Sequence, residues 1–363
     1  MKILLIGKYP PMQGGVSAKS FWLYSCLEKK GFQFKILTIQ ENHYTIPINN
    51  DDDSVVVINN KEIPWHIPKT NLIDDRIINA ALKIAENFDP DLIETNYLWP
   101  FCKDALVISK ILKKPLLVRH AGSDIQKFYN DAEFNEIINF YFHQAKAIVT
   151  NITSLHLLEE MHINRNKVFC LPRYIPDPAI FSPSNVKKTF DILFAGKINY
   201  HWRYKGLEYL LEVIKKKKLR ALFLIGGNYK DEILDLISLN KIEAYIEIFD
   251  FISPDKMPSI YNSCRFVWCW EDKEAIEDFS NIIWEAIFCN ISCIFNSYVA
   301  GKIETEGIDK SFDDLLYSMN AEELMDFSFS HHDIISNENQ NRKVHLFENY
   351  IKANIELYGK LIN

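Results

Sequence analysis

Short apolar segments alternate with helical patterns in two runs, and a proline-rich stretch separates the runs. This alternation constrains the fold more than any single motif. Residues 2–7, 34–39, 55–58, 91–94, 115–119 and 147–150 read as strands, with helices through Leu27 and over 75–88 between them. After RYIPDPAIFSPSNVKK, the best linker in the chain, the pattern restarts. Strands are expected at 191–195, 222–225, 246–251 and 266–270, a helix from Leu207, and an amphipathic helix with aromatic anchors over 344–362. Strands separated by helices need crossover connections, which make the sheets parallel. With 363 residues the chain is too long for one ordinary core and suits two α/β domains.

In open parallel sheets, ligands lie beyond the carboxyl ends of the strands. The first strand ends in KYPPMQGGVSAKS, where Gly14 and Gly15 let the backbone approach a phosphate closely. A nucleotide P-loop is excluded, because Gln13 and Ala18 occupy its two glycine positions ahead of Lys19-Ser20. The dinucleotide fingerprint GxGxxG is absent as well. Asn96, Tyr97 and His120 fall on the same sheet edge. His120, beside Gly122-Ser123-Asp124, reads equally as a satisfied polar residue or a functional one. In the second run, Lys197, Arg203 and Lys205 crowd a loop with Gly196 and Gly206, well placed to neutralise phosphate.

The segment EDFSNIIWE holds two acids, Glu277 and Glu285, eight positions apart. Ser280 is expected to cap a helix that Asn281 opens, with Ile282, Ile283, Ala286 and Ile287 at helical spacing. A helix start offers unpaired N–H groups and partial positive charge, which suit a phosphate. Flanking carboxylates can accept hydrogen bonds from sugar and ribose hydroxyls. Taken alone, this segment is accounted for more simply by an amphipathic helix with solvated acids, since acids near helix starts are common.

Composition narrows the classes. A formal charge of −7 argues against binding nucleic acid through bulk charge. Seven cysteines without a CxxC pair point to reduced thiols in the cytosol, and Cys289 and Cys293 lack the histidine partners of a zinc site. No apolar run reaches membrane-spanning length, and MKILLIG is too short for a signal peptide. The aromatic segment 128–142 reads as core, an acceptor-pocket wall or a membrane contact, and Lys215 to Lys218 as a solvated helix end.

These residues together resemble glycosyltransferase family 4, the retaining, nucleotide-sugar-dependent enzymes of the GT-B fold. PPMQGGVSAKSFWLYSCLEKKGF is similar to the family's PPxxGG opening, and PDLIETNYLWP and VRHAGSDI to its acceptor-side strand ends. VFCLPRYIPDPAIFSP stands where the family closes its first domain. AGKINYHWRYKG resembles the G-R…K-G donor loop, and EDFSNIIWEA the E-x7-E signature. The resemblance implies two Rossmann-like domains facing across a cleft: an acceptor domain over 1–184, a donor domain over 185–343, and a last helix, 344–363, returning to the first domain. A hinge near 181–188 would close the cleft.

By the same resemblance, Gly14 and Gly15 meet the donor diphosphate from one side. Lys197, Arg203, Lys205, Ser280 and Asn281 bind it from the other. Glu277 meets donor-sugar hydroxyls and Glu285 the ribose, His120 sits beneath the transferred sugar, and Asn96 and Tyr97 lie on the acceptor side. The reaction expected is transfer of a hexosyl or N-acetylhexosaminyl group to a hydroxyl, without metal or other cofactor, in bacterial-type glycan or glycoconjugate assembly. Acceptors in the family include lipid-linked glycans, polysaccharides, small molecules and proteins, but not a nucleic-acid partner by charge. The expected location is the cytoplasm, with peripheral contact at the inner membrane face left open. Three departures stand out: Asp278 and Ser280 replace the glycines after the first acid, Lys197 an arginine, and Arg173-Tyr174 an asparagine-glycine pair. They keep alive a second reading, a non-catalytic GT-B subunit that supports a partner transferase. An epimerase and a glycosidase are weaker alternatives, the latter because it would leave the phosphate loops idle.

Overall fold

The computed structural model describes residues 1–41, 53–60, 75–121, 123–198, 202–250, 252–273, 279–329 and 339–362. The chain divides into two compact units, Met1–Tyr174 with Glu348–Asn363, and Ile175–Phe347.

The first unit runs β1 (Lys2–Ile6), α1 (Gly15–Glu28), β2 (Gln33–Glu41), β3 (Val55–Asn60), α2 (Asp75–Phe88), β4 (Leu92–Thr95), α3 (Phe101–Leu112), β5 (Leu116–Arg119), α4 (Ser123–Tyr129), α5 (Ala132–Gln144), β6 (Ala147–Thr150), α6 (Leu155–Glu160) and β7 (Val168–Cys170). Its seven strands are all parallel, in the order β3-β2-β1-β4-β5-β6-β7. Strands such as β4 and β6 are buried at every position, as a sheet covered on both faces requires. Helix α2 turns Ile77, Ile78, Ala81 and Ala85 inward at helical spacing.

The aromatic segment is mostly core. Phe128, Phe134, Tyr141 and Phe142 are buried, with Phe128 stacked on Phe134 at 4.5 Å, while Phe140 stays exposed. Asp131 starts α5 by accepting from Glu133 N and Phe134 N at 3.1 Å.

The second unit runs β8 (Phe190–Lys197), α7 (Leu207–Lys217), β9 (Ala221–Gly226), α8 (Lys230–Asn240), β10 (Ile246–Phe249), α9 (Met257–Ser263), β11 (Cys264–Trp268), α10 (Asn281–Phe288), β12 (Ser292–Phe295), α11 (Ser297–Glu306), β13 (Leu316–Ser318), α12 (Ala321–Asp326) and the start of α13 (Gln340–Ile362). Its parallel strands are ordered β10-β9-β8-β11-β12-β13. In each sheet the strand order reverses once, between β1 and β4 and between β8 and β11. That is where a ligand crevice forms in such folds.

Helix α10 stops at Phe288, and Cys293 lies in β12. Residues 175–184, expected in the first domain, group with the second unit. Phe181 is fully buried against Tyr261, and Asn262 accepts from Ser184 N at 2.8 Å while donating to Ser182 O at 2.9 Å. The stretch expected to start a hinge is thus fastened to α9.

The end of α13 belongs to the first unit through a buried polar cluster. Glu94 accepts from Arg119 Nε at 2.5 Å, Tyr24 Oη at 3.0 Å and Tyr358 Oη at 2.7 Å. Arg119 also donates to Tyr358 Oη at 3.1 Å. No described helix is long and apolar enough to cross a membrane.

Candidate functional site

The first unit carries its candidate residues where β1, β4, β5 and β6 end. The chain leaves β1 through Gly7, where a Cβ would stand 2.1 Å from Asn96 Oδ1, so only glycine passes this close to the end of β4. Asn96 accepts from Lys8 N at 2.7 Å and donates to Lys8 O and Ser20 Oγ, each at 2.7 Å. Buried and triply bonded, it tethers the β1–α1 loop. Neighbouring Tyr97 is half-buried, with Lys8 Nζ 3.5 Å from its ring centroid. Gly14 has φ +119°, a region other residues avoid, and a Cβ there would meet no atom within 4 Å. It opens directly onto the start of α1, which carries no side-chain cap, with Gly15 exposed. On either side of the glycine pair, the buried Gln13 Oε1 and Ser17 Oγ have no hydrogen-bond partner among the described residues.

His120 closes β5, is buried, and shares a 2.8 Å hydrogen bond between its Nε2 and Thr150 Oγ1 at the end of β6. Thr150 Oγ1 also donates to Asn151 O at 3.3 Å, which fixes the hydroxyl that faces the imidazole. Burial, reinforced by Lys19 and Arg173, pushes the His120 pKa down to about 3. The ring is therefore neutral near pH 7. Asp124 joins two loops by accepting from Leu98 N at 3.0 Å, Ala121 N at 2.8 Å and Ile125 N at 2.9 Å. Burial raises its pKa against those three bonds. Nothing in the sequence marks Asp124 and Thr150 as positioning groups, and the only signals at Lys19 and Arg173 are the tail of a failed P-loop and a substituted asparagine.

The second unit gathers the remaining residues at the ends of β8 and β11. Lys197 ends β8 opposite Gly226. Ile198 N donates to Gly226 O at 2.7 Å, and a Cβ on Gly227 (φ +127°) would fall 2.1 Å from Ile198 O. Residues Trp202–Lys205 form a 3-10 turn seated on the buried Trp202. Arg203 lies over that indole at 4.5 Å and pairs with Glu232 at 3.2 Å. Lys205 O accepts from Trp268 Nε1 at 2.8 Å, and Trp268 stacks on Trp270 at 5.2 Å with an interplanar angle of 6°. Gly206 has φ +61°, and a Cβ there would stand 2.4 Å from Trp270 Cδ1. The cationic loop is thereby fastened to the end of β11.

Ser280 occupies the N-cap of α10 in extended conformation, but its side chain makes no capping hydrogen bond, and Asn281 opens the helix. Glu285 is buried in the middle of α10 and accepts from Tyr261 Oη at 2.8 Å. Burial, then the Glu285 charge, hold the Tyr261 hydroxyl far above its usual pKa. Glu277 lies outside the described residues, so only the second acid of E-x7-E has a described environment.

Two supports of this region had no sequence signal. The buried Lys343 on α13 donates to Phe288 O at 3.0 Å and Asn290 Oδ1 at 2.5 Å, holding the C-terminus of α10. Glu271, after β11, pairs with Lys302 at 2.6 Å, and its carbonyl accepts from Asn296 Nδ2 at 2.7 Å. Among the described residues, no group of three His, Cys, Asp or Glu could hold a metal ion. All seven cysteines are free thiols.

Residues 189–326 match the family model described as Glycosyl transferases group 1, a span that includes the Lys197–Gly206 loop and α10. No curated protein sequence matches the chain. Among solved structures, HepE of Anabaena, in complex with UDP and glucose, is similar over 99% of both chains, with 14% identity and a TM-score of 0.66. Sucrose-phosphate synthase of Thermosynechococcus elongatus covers 99% of this chain and 98% of its own, again at 14% identity and a TM-score of 0.66. A glycosyltransferase of Rickettsia africae covers 100% of this chain and 98% of its own, with 18% identity and a TM-score of 0.61. These likenesses show the fold, and it is GT-B.

Proposed function

We propose that this chain is a retaining glycosyltransferase, moving a hexosyl or N-acetylhexosaminyl group from a nucleoside diphosphate sugar to a hydroxyl acceptor. The observation that carries the reading is a coincidence. The span matching group 1 glycosyltransferases holds the glycine-anchored cationic loop and α10 with its buried Glu285, at the switch point of the second sheet. The Anabaena relative has been solved with UDP-glucose as well, which supports the donor class.

The second unit binds the donor, and the first supplies the acceptor side. Lys197, Lys205 and Arg203, with the start of α10 at Ser280 and Asn281, stabilise the diphosphate, and Gly14 and Gly15 meet it from the α1 start. Glu285 takes ribose hydroxyls and Glu277 donor-sugar hydroxyls. His120, neutral, orients a hydroxyl of the transferred sugar. The bond from the anomeric carbon to the leaving phosphate breaks as the acceptor oxygen attacks the same face, and the phosphate takes the acceptor proton. Positioning and charge stabilisation then supply the catalysis, without metal. The reading sets the enzyme in the cytoplasm, working in glycan or glycoconjugate assembly.

The test supplies nucleotide sugars with an acceptor pool and follows diphosphate release and product anomer by NMR, with EDTA in a parallel series. Transfer with retained configuration, insensitive to EDTA and lost in Glu285→Ala, is expected. Altered sugar without diphosphate release would instead mark an epimerase, and an inverted product would overturn the mechanism.

A further inference from the structure

The candidate residues of the first unit stand at the carboxyl ends of its strands, and the amino ends of the same strands form a different surface. Three segments meet there: residues 110–114 before β5, 140–146 before β6 and 164–167 before β7. Strand pairing brings them together. Lys146 N donates to Leu116 O at 2.9 Å, and Lys167 Nζ donates to His143 O at 2.9 Å. None of the three segments contains Asp or Glu, and together they carry six cations, although the whole chain carries −7. Among the described residues only one of the six, Lys114, stands in an ion pair, with Asp89 at 2.9 Å. Lys110, Lys113 and Lys146 are exposed. Two large apolar side chains accompany them: Ile111 at the end of α3 is 51% exposed, and Phe140, one turn before the end of α5, is 55% exposed. Helices α3 and α5 pack against each other, so their ends share this surface. Lysines at helix ends complement the helix dipole, but that role calls for no exposed isoleucine or phenylalanine.

We infer that this surface docks on an anionic lipid membrane, with Lys110, Lys113 and Lys146 at the headgroups and Ile111 and Phe140 in the interface. A bilayer surface offers negative charge and hydrocarbon together, which matches cations interleaved with exposed apolar side chains. A nucleic acid would use the charge alone. Docking here leaves the opposite ends of β5 and β6, with His120 and Thr150, uncovered. The inference stands on the first unit alone and does not depend on the glycosyltransferase reading.

The experiment floats the full chain with vesicles of mixed phosphatidylglycerol and phosphatidylcholine, and with vesicles of phosphatidylcholine alone. Binding to the mixed vesicles only, weakened by added salt, is expected. Each lysine near an anionic surface contributes about fivefold in affinity, so the triple variant Lys110→Gln/Lys113→Gln/Lys146→Gln should weaken binding about a hundredfold. The double variant Ile111→Ser/Phe140→Ser should weaken it about tenfold. A control, Lys215→Gln/Lys216→Gln/Lys217→Gln at the end of α7, should bind as the wild type does. Thermal melting checks that each variant folds. If one does not, Phe140→Trp gives a second reading, since its emission should shift to the blue on the mixed vesicles alone, and an unshifted emission overturns the inference. No binding to the mixed vesicles, equal binding to phosphatidylcholine, or binding that both variants of the surface retain also overturns it. Loss of binding in the α7 control does the same, by showing attraction through general charge. Loss in the lysine variant with none in the apolar variant overturns it as well, by assigning the surface to a soluble polyanion such as a nucleic acid or an acidic protein.

Discussion

Replacing Tyr261 by phenylalanine removes one oxygen and leaves the ring in place. That hydroxyl donates to Glu285 Oε2 at 2.8 Å, and both residues are buried. A hydrogen bond to a charged group contributes about 1.5–3 kcal/mol net. Phe181, 6.3 Å away between ring centroids, keeps its neighbour, so no cavity confuses the measurement. Urea unfolding of Tyr261→Phe should therefore show a loss of about 2 kcal/mol. The same oxygen orients the carboxyl proposed to meet the ribose. If orientation carries about 1.4 kcal/mol of that total, nucleotide affinity measured by calorimetry falls about tenfold. A variant with wild-type stability and wild-type affinity would refute the reasoning, because Glu285 would then owe its place to something else.

Three further outcomes follow from other contacts. His120 titrates at about 3 in the folded chain and near 6.5 when unfolded, so between those values only the unfolded state takes the proton. Stability should fall as pH drops through this window, by about 4–5 kcal/mol at its acid end, and His120→Gln should flatten the slope in acid-unfolding curves. Lys343 titrates at about 8 when folded against 10.5 unfolded, so the unfolded state holds more protons between the two values. Stability should accordingly rise with pH across that window, by about 3 kcal/mol relative to Lys343→Met in paired denaturant titrations. Gly206→Ala sets a Cβ 2.4 Å from Trp270 at a positive φ. It should lower the melting temperature and quench or shift the Trp268–Trp270 fluorescence as the loop lifts, whereas unchanged spectra would contradict the packing described.

The alternation of apolar runs and helices was legible because parallel strands covered on both faces leave no room for polar residues. The ranges 75–88 and 147–150 and the helix start at Leu207 match their elements. Of the glycines singled out in the loops, Gly206 lies where a Cβ would collide, whereas a Cβ on Gly14 would meet nothing and only its positive φ calls for glycine. What stayed hidden depended on contacts distant in sequence. Lys343 reads as one more charge on an amphipathic tail until its amine is seen on the carbonyl of Phe288, 55 positions away. Glu94 reads as a strand-end acid until Tyr24, Arg119 and Tyr358 converge on it. Asn96 stood out as a strand-end polar residue, but its tethering of Lys8 requires knowing that β1 and β4 are neighbours. Phe181 looked like part of a linker because prolines surround it. Its burial against Tyr261 is a property of α9, not of the local sequence.

The most direct test of the central claim is the melting temperature of the purified chain with UDP, GDP, ADP and TDP in turn, each with and without EDTA, alongside Glu285→Ala. A ligand at about 100 times its dissociation constant adds about 2.7 kcal/mol to stability, enough for a clear shift. The transferase reading predicts that one nucleotide raises the melting temperature, that EDTA leaves the rise intact, and that Glu285→Ala abolishes it. No rise with any nucleotide would contradict the reading and favour a GT-B subunit that supports a partner enzyme without binding donor itself.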